Sequence, residues 1–129
     1  MKEMAPDWIG KVDPCDAGCP SRDILDLIGD RWSLLLLLVI AQGHHRNGEL
    51  KRRIGGISQK MLTQTLRALE ANGLVERRDF QTVPPHVEYH LTPLGQSLGE
   101  AVGPLFGWIE REFGAVVAAR EAFAGREAA

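Results

Sequence analysis

Hydrophobic and polar positions change rhythm several times along this chain, and each change marks an element. Between Ile57 and Arg78 the apolar residues Leu62, Leu66 and Leu69 recur at three and four residues, while Lys60, Thr63, Gln64 and Arg67 collect on the other side. That is the period of an α-helix with one buried and one wet face. Ser58 stands before it, where a hydroxyl can accept from the free amides of a first turn, and Asn72-Gly73 stops it. The rhythm then shortens. Leu74 to Phe80 and His86 to Leu91 read as two short strands around a turn built on Pro84 and Pro85.

Upstream, Ser21 to Ile28 predicts a short helix with Ile24, Leu25 and Ile28 as its apolar side, Asp23 in its first turn and Gly29 at its end. Trp32 to Ala41 is nearly continuous apolar sequence, roughly half the length needed to span a membrane, and predicts the buried central helix. Gly48 to Ile54 gives a brief helix with Leu50 and Ile54 inward and Lys51, Arg52 and Arg53 outward, followed by a tight turn at Gly55-Gly56. Downstream, Thr92 caps a helix that opens with Pro93 and runs to about Arg120. Its Leu94, Leu98, Ala101, Leu105, Ile109 and Phe113 form one long stripe, and Gly103-Pro104 is expected to kink it.

Two helices joined by a glycine turn, a hairpin and a long helix predict a mainly α (α+β) fold. It is a winged helix-turn-helix with a two-stranded wing and a long C-terminal dimerisation helix. The chain of 129 residues has room for one such domain, over 21–119, between an N-terminal arm, 1–20, and a flexible tail, 120–129. Pro6, Pro14 and Pro20 predict an extended arm, with Trp8 and Ile9 as its only sizeable apolar group. The stripe on the last helix exceeds what so small a core can bury. A homodimer joined through Leu98, Leu105, Ile109 and Phe113 accounts for it.

Charge sharpens this picture. The net charge is -2, but His44 to His90 holds eight bases (Arg46, Lys51, Arg52, Arg53, Lys60, Arg67, Arg77, Arg78) against five acids (Glu49, Glu70, Glu76, Asp79, Glu88), a local +3. Binding to double-stranded DNA depends on such a patch and not on the total. In helix-turn-helix docking the shorter helix crosses the backbone, so Lys51 and Arg52 are expected on phosphates. Ser58, Gln59, Lys60, Thr63, Gln64 and Arg67 are expected at the major groove, with Arg77, Arg78 and His86 from the wing. Arg77 and Arg78 alternate along a strand, so at most one of them points toward DNA.

Enzyme chemistry finds no support, since there is no phosphate loop, Gly-x-Ser-x-Gly or His-Glu-x-x-His motif and no cofactor signature. The four histidines read as isolated surface residues. A metal site would have to combine Cys15 and Cys19 with His44 and His45, and no Cys-x2-Cys element supports one. With two cysteines, no apolar leader and no membrane span, the chain is expected in the cytoplasm with reduced thiols. Cys19-Pro20-Ser21 stands where unpaired amides at a helix start favour a thiolate. An inert thiol fits the spacing equally well.

The words CP at 19–20, DLIGDRW at 26–32, GISQKMLTQTLRALEANGLVERR at 56–78 and VPPHVEYHLTPLG at 83–95 resemble the HxlR-type winged-helix transcriptional regulators of bacteria, relatives of the MarR group. The resemblance covers about residues 19 to 109. It implies a cytoplasmic homodimer on a palindromic operator. It also implies, as in several members, sensing of a quinone, aldehyde or oxidant at the position of Cys19, with Cys15 accessory and outside the shared pattern. Asn47, Gln81 and His86 depart from the aromatic, proline and arginine usual at those places. Two alternatives stay open: a protein-interaction module that keeps the fold, and a regulator with inert cysteines and a small apolar ligand between core and dimer helix.

Overall fold

The computed structural model describes residues 12–128, so Trp8 and Ile9 lie outside the described residues. The elements are α1 (Pro20–Ile28), α2 (Arg31–Ala41), α3 (Asn47–Arg53), α4 (Gln59–Ala71), β1 (Val75–Asp79), β2 (Val87–Leu91) and α5 (Pro93–Ala128). This is the winged helix-turn-helix, mainly helical with a two-stranded antiparallel wing. The apolar run of α2 makes it the central helix, touching α1, α3, α4, α5 and β2. Neighbours on most sides remove the need for a polar stripe. Its Leu36, Val39 and Ile40 are buried with Leu50, Ile54 and Ile57 and with Leu62, Leu66 and Leu69 of α4.

Local chemistry sets the helix starts. Asp30 accepts from the Ser33 amide at 3.2 Å and from its buried hydroxyl at 3.3 Å, so the one serine in the core is satisfied. Ser58 Oγ accepts from the Met61 amide at 3.0 Å, as its position predicts. Thr65 is buried on the core side of α4 and donates to the Met61 carbonyl at 2.7 Å, which satisfies its hydroxyl there. At Gly56 the turn between α3 and α4 takes a φ of 83°, which glycine adopts freely.

Several boundaries differ from the pattern reading. α1 starts at Pro20, not Ser21, because Cys19 has the extended backbone of an N-cap and proline suits the first helical position. α5 does not end near Arg120: it runs to Ala128, and Gly103-Pro104 lies within it without ending it. The apolar anchors thin out there, but Ala, Arg and Glu are strong helix formers and carry the helix on. The arm is not extended over residues 12–19. The Asp13 and Asp16 side chains accept from the amides of Cys15 and Gly18 at 3.0 and 2.9 Å and fold it into successive turns. Arg22 of α1 pins these turns by donating to the carbonyls of Pro14 and Cys15 at 3.3 and 3.2 Å.

β1 and β2 pair in the register Val75↔Leu91 to Asp79↔Val87, each shorter by a residue or more than the pattern suggests. Where β2 ends, Thr92 fastens three elements. Its hydroxyl donates to the Gly73 carbonyl at 2.6 Å and accepts from the Gly95 amide at 3.0 Å, and its own amide donates to the Leu74 carbonyl at 3.1 Å. Gly95 is buried so closely against Leu74 that a Cβ would fall on the Leu74 carbonyl. Gly95→Ala should therefore destabilise the fold by about 3 kcal/mol or more. Gly99→Ala, where a Cβ meets nothing within 4 Å, should be neutral or stabilise by up to about 1 kcal/mol. Urea denaturation of the two variants measures the contrast, and equal midpoints would refute the close approach.

Candidate nucleic-acid interface

The wet face of α4 follows from its period. Gln59, Lys60, Thr63, Gln64 and Arg67 are exposed, with Ser58 at the cap, while Leu62, Thr65, Leu66 and Leu69 are buried opposite. Gln59 Nε2 donates to Thr63 Oγ1 at 3.1 Å and joins the first two turns of this face. On α3, Lys51, Arg52 and Arg53 are exposed, and the absence of a side chain at Gly48 leaves room for the Arg52 guanidinium to lie back along its helix. Among the described residues, Lys51, Arg52, Lys60 and Arg67 enter none of the ion pairs. No ion pair among the described residues neutralises their charge, which leaves it for phosphate contact.

The wing behaves otherwise. Arg77 and Arg78 are exposed on opposite faces, and each leans on an acid two residues away, Arg77 on Asp79 at 3.9 Å and Arg78 on Glu76 at 3.4 Å. Arg78 faces a depression that it lines with His45, His90 and Gln96. The tip is braced by the Gln81 amide donating to Asp79 at 2.8 Å, with Gln81 at φ 54°, and by the Thr82 hydroxyl donating to the Pro84 carbonyl at 2.9 Å.

The reading of the histidines as isolated is corrected. His86 and His90 each place Nε2 2.7 Å from an oxygen of Glu88, and His45 stacks on His90 with ring centroids 3.9 Å apart. Hydrogen bonds from His90 and then His86 hold the Glu88 carboxyl below its ordinary pKa, against a smaller opposing effect of burial. Residues 86, 88 and 90 share a strand face, so the two-residue period could have revealed this triad. The stack with His45 joins distant parts of the chain and left no sequence signal.

Cys19 is half-buried at the N-cap of α1, with Sγ 3.0 Å from Ser21 Oγ, and Cys15 is exposed; both thiols are free. The Ser21 hydroxyl, then the backbone amides of Asp13 and Ser21, lower the Cys19 pKa against burial and the Asp13 charge. Of the residues expected at a dimer seam, Leu105, Ile109 and Phe113 are 45, 46 and 64% exposed, while Leu98 is half-buried against the chain's own core. Ile24 and Leu25 of α1 and Leu94 and Trp108 of α5 add to this uncovered apolar surface. Between α2 and α5 an apolar groove of about 370 Å³ is lined by Leu37, Leu38, Ala41, Leu91, Val102 and Phe106, with Gln96 and Glu100 among its polar residues. No helix among the described residues is long and apolar enough to cross a membrane, and no cluster of metal-ligating side chains occurs among them.

The model of the HxlR-like helix-turn-helix family matches residues 27–116. The chain belongs to this family. It is 48% identical over 103 residues to the HTH-type transcriptional regulator YtfH of Escherichia coli K12, a match covering 80% of this chain and 82% of that one. The solved structure of the transcriptional regulator ytfH of Salmonella typhimurium superposes with a TM-score of 0.80 at 43% identity, covering 86% of this chain and 99% of that one. The redox regulator HypR in its reduced form gives a TM-score of 0.70 at 37% identity, covering 77% and 98%. The HxlR-like chain is thus a DNA-binding helix-turn-helix regulator and not an enzyme.

A lowered pKa means more thiolate at neutral pH. Alkylation of Cys19 by iodoacetamide near pH 7 should be several-fold faster in the wild type than in Ser21→Ala, and the gap should close above about pH 9, where an ordinary thiol is ionised. Peptide mass spectrometry resolves Cys19 from Cys15. Equal rates in both proteins near pH 7 would show that the hydroxyl does not activate the thiol.

Proposed function

We propose that the protein is a cytoplasmic homodimeric regulator that lays α4 in the major groove of a two-half-site DNA operator and changes affinity through chemistry at Cys19. The observation that carries the DNA reading is the row of cations outside any ion pair and of amide and hydroxyl side chains on α3 and α4, opposite a buried face of Leu62, Thr65, Leu66 and Leu69. Gln64 and Arg67 have the reach and donor pattern to read base edges, with Ser58, Gln59, Lys60 and Thr63 around them. Lys51 and Arg52 hold phosphates, and one of Arg77 and Arg78, with His86, supplies the wing's share. Such cations outside the ion pairs of the described residues argue against a module that binds only protein.

Dimerisation is supported by Leu105, Ile109 and Phe113, whose exposure in one chain leaves a stripe that a second copy buries. Ile24 and Leu27 of α1 share a groove with Leu94 and Leu98 of α5, so α1 lies beside that stripe. A thiol on the N-cap residue of α1 is therefore placed to disturb the seam when a quinone, aldehyde or oxidant modifies it. HypR, a redox regulator by name and 37% identical, adds weight to thiol sensing, and Cys15 is the nearby thiol that could resolve an oxidised Cys19. The apolar groove between α2 and α5 favours a second reading, in which a small apolar ligand is the effector and both cysteines are inert.

Sedimentation should give twice the chain mass at micromolar concentration, and Ile109→Asp with Phe113→Asp should give the monomer. A wild-type monomer would sink the two-half-site reading. Gln64→Ala or Arg67→Ala should cost about 1–3 kcal/mol on the operator and little on random DNA, whereas Lys51→Ala or Arg52→Ala should weaken both and flatten the salt dependence. Operator binding titrated with a quinone or mild oxidant should lose its response in Cys19→Ser. An undiminished response in that variant would exclude thiol sensing and favour the groove.

A further inference from the structure

We propose that His86, Glu88 and His90, with His45 stacked against them, form a proton-dependent clamp that turns the wing face from anionic to cationic and tightens DNA binding as pH falls from about 8 to about 6. The proposal rests on the reading of the wing as a DNA contact. Residues two apart on a strand project from one face, and here both imidazoles converge on one carboxylate, each with Nε2 2.7 Å from a different oxygen. An ionised carboxylate only accepts, so both Nε2 atoms carry hydrogen. A further proton on either ring therefore goes to Nδ1. It leaves the clamp bond in place and makes it charge-assisted.

His45 is held against the clamp through Tyr89. Its Nδ1 lies 2.9 Å from the Tyr89 carbonyl and must donate, and its own carbonyl accepts from the Tyr89 amide at 2.7 Å. Its ring is thus held flat on His90, 3.9 Å away, where two imidazolium rings would repel. Other groups face the cluster from each neighbouring element. On β1, Glu76 is opposite His90 and Arg78 opposite Glu88, and these two pair at 3.4 Å. On α5 the facing residue is uncharged Gln96, with Glu100 in the adjoining groove. Next to His45, His44 pairs with Glu49 at 3.6 Å, and the Phe80 ring covers His86 at 4.6 Å. With neutral histidines this wing face sums Arg78 against Glu76 and Glu88, one negative charge; with His86 and His90 protonated it carries one positive.

Two added charges beside phosphates take up protons on binding, so affinity rises as pH falls. The full-length protein should be titrated, by fluorescence anisotropy at constant ionic strength, with a DNA fragment selected from its source genome at about pH 6 and about pH 8. The wild type should bind on the order of tenfold more tightly at the lower pH. That ratio should fall in His90→Gln and in Glu88→Gln, which keeps an acceptor but removes the charge. A wild-type ratio of one, or a ratio undiminished in both variants, overturns the clamp while leaving DNA binding intact. Failure to bind DNA at either pH overturns the regulator reading instead. The histidine ring proton resonances then decide the clamp: those of His86 and His90 should titrate at lower pH in Glu88→Gln than in the wild type, and unchanged midpoints overturn it.

Discussion

The first turn of α5 lies so close to the backbone of Gly73 and Leu74 that no side chain fits between them, and three working parts of the molecule meet at this contact. α4 ends there, the wing begins and ends there, and the long helix departs from there. One hydroxyl, that of Thr92, both caps α5 and holds the carbonyl of Gly73, just past the end of α4. The orientation of the recognition helix relative to the long helix is therefore fixed by backbone and one short side chain, with no flexible linker between. Such a junction transmits displacement and does not absorb it.

The order of elements was legible because each carries its own period and punctuation. Leu62, Leu66 and Leu69 mark a buried face, Ser58 and Thr92 mark starts, and Gly56 and Gly73 mark turns with the positive φ that glycine tolerates. Where the reading failed, it had weighed one signal and neglected another. Proline and glycine in the arm rightly spoke against helix, but the aspartates that fold residues 12–19 into turns act through side-chain acceptors that hydropathy does not register. The end of α5 was set too early because apolar anchors counted and helix propensity did not.

The candidate interface was legible to the same degree as the helix that presents it. Once α4 has a core side, Lys60, Thr63, Gln64 and Arg67 can only be opposite. What the sequence could not show was which charges are already spent. Arg77 and Arg78 look the same as Lys51 and Arg67 in a count, yet both wing arginines lean on acids of their own strand, and the α3 and α4 cations do not. Likewise nothing in the sequence marks Arg22, whose grip on the carbonyls before Cys19 depends on a chain reversal that only the fold supplies.

The length of α5 has a mechanical meaning. Its 36 residues make a rod of roughly 54 Å, anchored to the domain only over its first part. A rod held at one end is a lever: a tilt of about 5° at the Thr92 anchor sweeps the free end through ~5 Å, close to one helical turn. Worked in reverse, a displacement of a few ångströms at the far end returns to the anchor as a small rotation. The same anchor holds α4, so the amplification that makes the far end responsive also makes the near end precise.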